Sequence, residues 1–264
     1  MNLLKYLKKI FLKNNFLIFI KKEIDPRPFL QDGEDNKDFE SYSDCFPWRT
    51  DSNFKTHFRF FNLLSIFYNI KRENITIEIQ IFSKFNKLLK KLYISEIKEK
   101  NEFIISKEFL DLEDYGFFNI FHKVKNTNEL STVAMTKIQD KSYVGFSRLS
   151  NVPTFVHGNI PIKAKNNKAI SKTDLVYKSF FMNKIYNLQC SFIDHVSAEL
   201  FFSNPSSKQI KFTIENTTFE LPPYNSKIIK LKKLNSLIKI KSNCSFLRPY
   251  VFAYNKNFFD CYHS

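Results

Sequence analysis

The stretch Ile75-Thr-Ile-Glu-Ile-Gln-Ile-Phe82 decides the fold. Apolar and polar residues alternate through it with a period of two, which sends one set of side chains to each face of an extended strand. Isoleucine is β-branched and stiff at χ1, so a run built on Ile75, Ile77, Ile79 and Ile81 suits a pleated, half-buried surface and not a helix. Upstream lie an apolar run over 60–68 and the turn Asn69-Ile-Lys-Arg-Glu-Asn74. Downstream, strands are expected over 92–97, 102–110 and 117–124, each bounded by polar turn residues. The stretch 85–92 also fits a helical period.

The second half repeats the theme. Strands are expected over 196–202, 209–214, 219–221, 228–231, 237–242 and 250–254, with turns at Ser203-Asn-Pro-Ser-Ser207 and Pro222-Pro-Tyr-Asn225. Many short strands at regular spacing indicate an all-β protein of two tandem β-sandwich domains, 52–150 and 151–264. An internal repeat at an offset of about 133 residues pairs 60–68 and 75–82 with 196–202 and 209–214, and pairs Gly116–Lys123 with Pro249–Lys256, as duplication would.

Composition supports strands. Phe (31) and Tyr (12) outweigh one Trp and four Gly, and 43% of the 264 residues are hydrophobic, enough for a buried core. The formal net charge of +15 invites a polyanion-binding reading. Against it, nearly all basic residues are Lys, the arginines being Arg27, Arg49, Arg59, Arg72, Arg148 and Arg248. Arg is the residue suited to bidentate recognition of phosphate and bases. Abundant Lys, Asn, Ile and Phe follow from A/T-rich coding, of bacterial or phage type, so no nucleic-acid partner is expected. Cys45, Cys190, Cys244 and Cys261 occur singly, without a C-x-x-C pair. Free thiols in a reducing compartment are expected, with Cys244–Cys261 the one bridge that neighbouring strand ends would allow.

Residues 1–22 carry Lys5, Lys8, Lys9, Lys13, Lys21 and Lys22 and no acid, with apolar residues at helical spacing between them. A basic amphipathic helix is expected there. Its longest apolar run, 16–20, is far short of the roughly 20 residues that cross a bilayer, and too short for a signal-peptide core. The expectation is a cytoplasmic protein whose helix docks on its own sheet or lies on the inner membrane face. In the second case Lys5, Lys8, Lys9 and Lys13 each contribute about 1 kcal/mol. Residues 23–51 switch to acidic, and Pro26, Pro28 and DGEDNKD read as an irregular, solvated linker.

Leu200-Phe-Phe-Ser-Asn-Pro-Ser-Ser207, the strand over 210–214, Glu220-Leu-Pro-Pro223 and the strand over 228–231 follow one another in a set order. That order resembles a bacterial immunoglobulin-like β-sandwich module, over residues 196–232 only. The resemblance implies strand geometry and a binding, spacer or assembly role, and carries no chemistry.

Candidate chemistry is sparse. The histidines (His57, His122, His157, His195, His263) form no H-x-H or H-x-x-x-H pair, so no metal site is expected. There is no G-x-S-x-G elbow, and Gly33, Gly116, Gly145 and Gly158 build no phosphate loop, so no cofactor is expected. An acid–base site assembled by the tertiary fold needs no motif. Its candidates are His157, Asp260 and His263, with Arg148 or Arg248 as the cationic partner.

Phe46-Pro-Trp-Arg-Thr-Asp51 is the most distinctive local sequence. Trp48 reads as a sugar-stacking platform with Arg49 and Asp51 beside it, or as a core plug with Arg49 and Asp51 paired at the rim, and the second is favoured. The leading expectation is a non-catalytic binding or assembly protein that recognises a carbohydrate or protein partner in surface-glycan or envelope biology. Its rivals are a sugar-acting enzyme with a His/Asp site between the two β domains, and a peripheral membrane protein anchored by residues 1–22.

Overall fold

The computed structural model describes residues 14, 16–17, 20, 39–62, 65–66, 70–124, 142–149, 151–158, 161–165, 184–189, 195–204, 209–231, 234, 237–242, 244 and 247–263. The chain is predominantly β. In order come β1 (Phe39–Arg49), β2 (Phe54–Phe61), β3 (Ile75–Ser83), β4 (Leu88–Ile94), β5 (Lys100–Ile105), the single-turn α1 (Lys107–Leu110), β6 (Tyr115–Val124), β7 (Ser142–Arg148), β8 (Thr154–His157) and β9 (Pro161–Lys165). There follow β10 (Lys184–Gln189), β11 (Ser197–Ser203), β12 (Ile210–Ile214), β13 (Thr217–Leu221), β14 (Ser226–Lys230), β15 (Leu237–Ser242), β16 (Tyr250–Tyr254) and β17 (Phe259–His263).

The strands form four antiparallel sheets, ordered β4-β3-β6-β1-β9, β5-β2-β7-β8, β13-β12-β15-β10 and β14-β11-β16-β17. Adding nine to each strand number of the β4-β3-β6-β1 segment and of the β5-β2-β7-β8 sheet reproduces the other two. The two halves therefore share one strand order, β9 being the only strand without a counterpart among those described.

Each half is a pair of facing sheets. In the first, Ile77, Ile79 and Ile81 of β3 meet Phe46, Phe58 and Phe118, whose rings lie 4.8–5.3 Å apart. In the second, Leu200 and Phe202 meet Ile210, Phe212, Ile238 and Ile240. Trp48 is fully buried and donates its indole N–H to Phe82 O at 2.7 Å. The indole reaches that carbonyl across Gly116, its register partner, where an added methyl would sit 2.1 Å from Phe82 O and 2.8 Å from Trp48 Nε1. The β12–β13 hairpin turns through Glu215 and Asn216 at φ 46° and 75°, the doubly left-handed geometry of a type I′ turn.

The β14-β11-β16-β17 sheet is buried on both faces. Ala198, Leu200, Phe202, Val251 and Ala253 face the second core, while Phe201, Tyr250, Phe252, Phe259 and Cys261 belong to the core cluster of the first half. The end of the first sandwich abuts this second face: Phe54 lies 5.7 Å from Phe252 and 5.1 Å from Phe259, Phe146 lies 4.8 Å from Phe252, and Tyr115 lies 5.7 Å from Phe201.

Several expectations change. Residues 39–49, assigned to the acidic linker, form β1: Phe46 and Trp48 alternate into the core, whereas the acids concentrate upstream at 32–38. Pro47 is tolerated because β9 pairs only with 39–44, so β1 is an edge where the missing N–H falls. The strand before the 69–74 turn is Phe54–Phe61 rather than 60–68, and residues 65–66 are helical. The 102–110 run breaks at Ser106, whose side chain accepts from Phe109 N and caps α1. Residues 88–92 are strand, not helix. In the repeat, β3 and β12 do correspond, but Gly116–Lys123 lies in β6, whose counterpart in the strand order is β15, while Pro249–Lys256 overlaps β16, the counterpart of β7. Cys261 is a buried free thiol in the first core and Cys244 is buried in the second, so no bridge joins them. Of residues 1–22, 16, 17 and 20 are helical, while Lys5, Lys8, Lys9 and Lys13 lie outside the described residues. Among the described residues no helix is long and apolar enough to cross a membrane.

Candidate functional site

Two clusters of polar and aromatic side chains stand out, one buried at the junction of the halves and one exposed. The junction centres on Arg49, at the end of β1. Its backbone is held by Thr56 of β2, which accepts from Arg49 N at 2.8 Å and donates to Arg49 O at 3.0 Å. Thr50 next to it donates to Leu112 O, and Thr50 N and Asp51 N both donate to Asp114 O. The chain is thus pinned where it leaves the core, and the guanidinium is aimed at the second half.

Asp51 receives Arg49 through both oxygens, from Nε at 3.0 Å and from Nη2 at 2.7 Å. Nη1 donates to Glu199 Oε2 at 2.7 Å and lies 3.1 Å from Tyr254 Oη, which itself donates to Glu199 Oε2 at 2.6 Å. The guanidinium carbon lies over the Phe54 and Phe252 rings at 4.4 and 4.7 Å. Burial works to lower the Arg49 pKa, but the hydrogen bond to Asp51 and the fields of Tyr254, Asp51 and Glu199 outweigh it and hold the charge firmly in place. Burial first, and Glu199 second, raise the Tyr254 hydroxyl above its ordinary range against the opposing pull of Arg49. Arg148 joins the rim, donating from Nε to Ser52 O at 3.1 Å and lying 5.5 Å from the Tyr254 ring. All three nitrogens of the Arg49 guanidinium are directed at the protein itself, and its chemistry is that of a clamp between the halves.

The exposed cluster is the outer face of the β5-β2-β7-β8 sheet. Alternation from the core residues Phe58, Phe60, Val144, Phe146 and Val156 places Lys55, His57, Arg59, Tyr143, Gly145, Ser147, Phe155 and His157 on it. Phe155 pairs with Gly145 in register, and its ring lies over the glycine, where an added methyl would meet it at 2.6 Å. The Arg59 guanidinium lies over this ring at 4.3 Å, and Arg59 Nε is 3.3 Å from Glu102 Oε1. His57 lies between Ser147 Oγ, 2.9 Å from Nε2, and Glu102 Oε1, 3.4 Å from Nδ1. Tyr143 is 44% exposed and the Arg59 side chain 50%, so both remain open to a ligand.

The sequence-derived candidates separate. Arg49, Asp51 and Arg148 converge at the junction, while Arg248 stands apart, 3.4 Å from Tyr186 Oη. Trp48 is sealed in the core with its N–H spent, so it offers no ring face to a ligand from solution. His157 is on the exposed sheet face, its Nδ1 2.8 Å from Gly158 O, whereas Asp260 is engaged by His195 Nε2 at 3.1 Å. His263 lies at the end of β17, opposite Tyr250 in register. β8, which carries His157, and β17, which carries Asp260 and His263, are neighbouring strands. Among the described residues no group of His, Cys, Asp and Glu is arranged to hold a metal ion.

Glu199, Tyr254, Arg59, Tyr143 and Phe155 were not singled out from sequence. Two signals were present: a lone acid in the apolar strand Ser197–Ser203, and a glycine inside the strand Ser142–Arg148, which marks close approach of another group. Comparison with protein-family models, with curated proteins and with solved structures finds no match to this chain.

Proposed function

We propose that this chain is a non-catalytic binding protein of two tandem immunoglobulin-like sandwiches that arose by duplication, and that it holds a carbohydrate on the outer face of β5-β2-β7-β8. The observation that carries this reading is the contrast between corresponding faces. In the second half that face is buried against the first, whereas in the first half it is open and bears Tyr143, Phe155, Arg59 and His57. Aromatic rings framed by hydrogen-bonding side chains suit the apolar faces and hydroxyls of sugar rings. The shared strand order supports duplication. The β2–β5 and β3–β6 pairings match the B–E and C–F pairings of an immunoglobulin sandwich, but β1 pairs with β6 and not with β2, and β7 pairs with β2 and not with β6. The clamp at Arg49 fits a rigid two-unit scaffold. The test is calorimetric titration of the full chain with neutral and acidic oligosaccharides, alongside Tyr143→Ala and the control Tyr93→Ala on the opposite sheet. Binding that weakens in the first variant only is expected; no binding, or equal binding in both variants, refutes the reading.

A further inference from the structure

The two halves use corresponding faces in chemically opposite ways, and the contrast points to the ligand's charge. On the face of β14-β11-β16-β17 that meets the first half, β11 presents Glu199 and Phe201, β14 presents Ile228, β16 presents Phe252 and Tyr254, and β17 presents Phe259 and Cys261. That face receives an apolar end that carries cations: Phe54, Phe146 and Tyr115 pack on its rings, Arg49 reaches Glu199, and Arg148 lies over the Tyr254 ring. In the corresponding strand of the first half the acid is gone, and Lys55, His57 and Arg59 occupy the outward positions of β2. Fewer apolar residues remain, Ile104 on β5 and Phe155 on β8, with Glu102 on β5 and Gly145 and Ser147 on β7 between them.

An apolar protein end like the one docked on the second half meets charged side chains there, Lys55, Arg59 and Glu102, where the second half offers rings. A hydrophilic partner suits them, and the charge it must carry is the reverse of Arg49's. Among the described residues of these four strands Glu102 is the acid on the face, and it already lies against Arg59 Nε and His57 Nδ1. The exposed Lys55 feels Glu108 of α1, which leaves the two Nη groups of Arg59 and the His157 strand end toward solvent. Arg59 stacked on Phe155 is held in place by the ring and the Gly145 recess, so little side-chain freedom remains to be lost on binding.

Building on the carbohydrate reading above, we propose that the ligand is an acidic polysaccharide. Its carboxylates meet Arg59 and Lys55, and its sugar faces lie on Tyr143 and Phe155. A guanidinium takes a carboxylate in a planar, two-bond geometry that a neutral hydroxyl cannot reproduce.

The probe is an oligogalacturonate, titrated into the full chain at physiological ionic strength. A neutral glucan of equal length and a single-stranded DNA serve as comparisons. Expected is binding of the oligogalacturonate that falls roughly tenfold or more in Arg59→Gln and in Tyr143→Ala, with Tyr93→Ala unchanged. Both affected side chains are largely exposed, so thermal melts of the variants should overlay the parent and separate a lost contact from a lost fold. If the glucan binds as well as the uronate and Arg59→Gln has no effect, the carbohydrate face stands and the acidic ligand is overturned. If DNA is preferred, or if uronate binding ignores all three substitutions as a general response to the +15 charge, the inference is overturned. If no sugar binds, both this inference and the reading beneath it fall.

Discussion

Replacing Arg49 by alanine removes the guanidinium that joins Asp51 of the first half to Glu199 of the second. Its side chain is 2% exposed, Asp51 is 26% and Glu199 13%, so the loss strands two carboxylates that water reaches poorly. Breaking a buried pair by removing one partner costs about 3–5 kcal/mol. The lower end applies, because Glu199 keeps the Tyr254 hydroxyl and a second cation, Lys230, at 3.9 Å. The stacking over Phe54 and Phe252 goes as well. A loss of about 3 kcal/mol in a chain of this size corresponds to a fall in Tm of roughly 6–12 °C. Calorimetric or circular-dichroism melts and urea titrations of Arg49→Ala measure it. Arg49→Lys should recover less than half, since an ammonium cannot present two parallel bonds to Asp51 and a third to Glu199. A melting temperature within about 2 °C of the parent, or full rescue by lysine, would refute the reasoning.

Three further outcomes follow from the same geometry. Gly116→Ala should destabilise by about 3 kcal/mol in urea titration, because the added methyl meets a backbone carbonyl that cannot step aside; wild-type stability would mean the strands open freely there. Asn119 is fully buried with neither amide atom hydrogen-bonded, so Asn119→Leu should raise stability by about 1 kcal/mol, and a marked loss would reveal a bound water or partner at the amide. Alkaline pH should destabilise the fold. Burial pushes the Cys261 thiol upward, and burial with Glu199 pushes the Tyr254 hydroxyl upward. A raised folded pKa means the folded state holds its proton where the unfolded chain releases it. This stability is complete below the unfolded values, about 8.5 for the thiol and 10 for the phenol, and is lost as pH rises beyond them. Cys261→Ala and Tyr254→Phe should each flatten part of that decline in melts taken across the alkaline range, and an unchanged profile in both would count against the cause named here.

Much of the strand content was legible because alternation is a local signal. Residues 237–242 carry a period of two that survives in the fold residue for residue, 75–82 alternates in residue type although both of its faces are buried, and 250–254 is apolar throughout. What was missed needed partners distant in sequence. β1 hides in an acidic context, and only Phe46 and Trp48 meeting Phe58 and Phe82 make it a strand. β7 carries Gly145 in its middle and β8 is four residues long, and the two are matched by Phe155 covering Gly145. The pairing of Arg49 with Asp51 is visible in the local sequence, but Glu199 is 150 positions away and no periodicity points to it. The meeting of Asp260 with His195, 65 positions away, is likewise announced by no local motif.

The packing of Phe252, Phe259 and Cys261 into the core of the first half bears on how the chain is made. A ribosome releases β1 to β8 well before β16 and β17 emerge, so the nascent first sandwich waits with Phe54 and Phe146 uncovered at one end. Its core is closed only when strands some hundred residues later arrive, which makes folding of the first half a late event in synthesis and gives chaperones a defined aromatic end to hold in the interval.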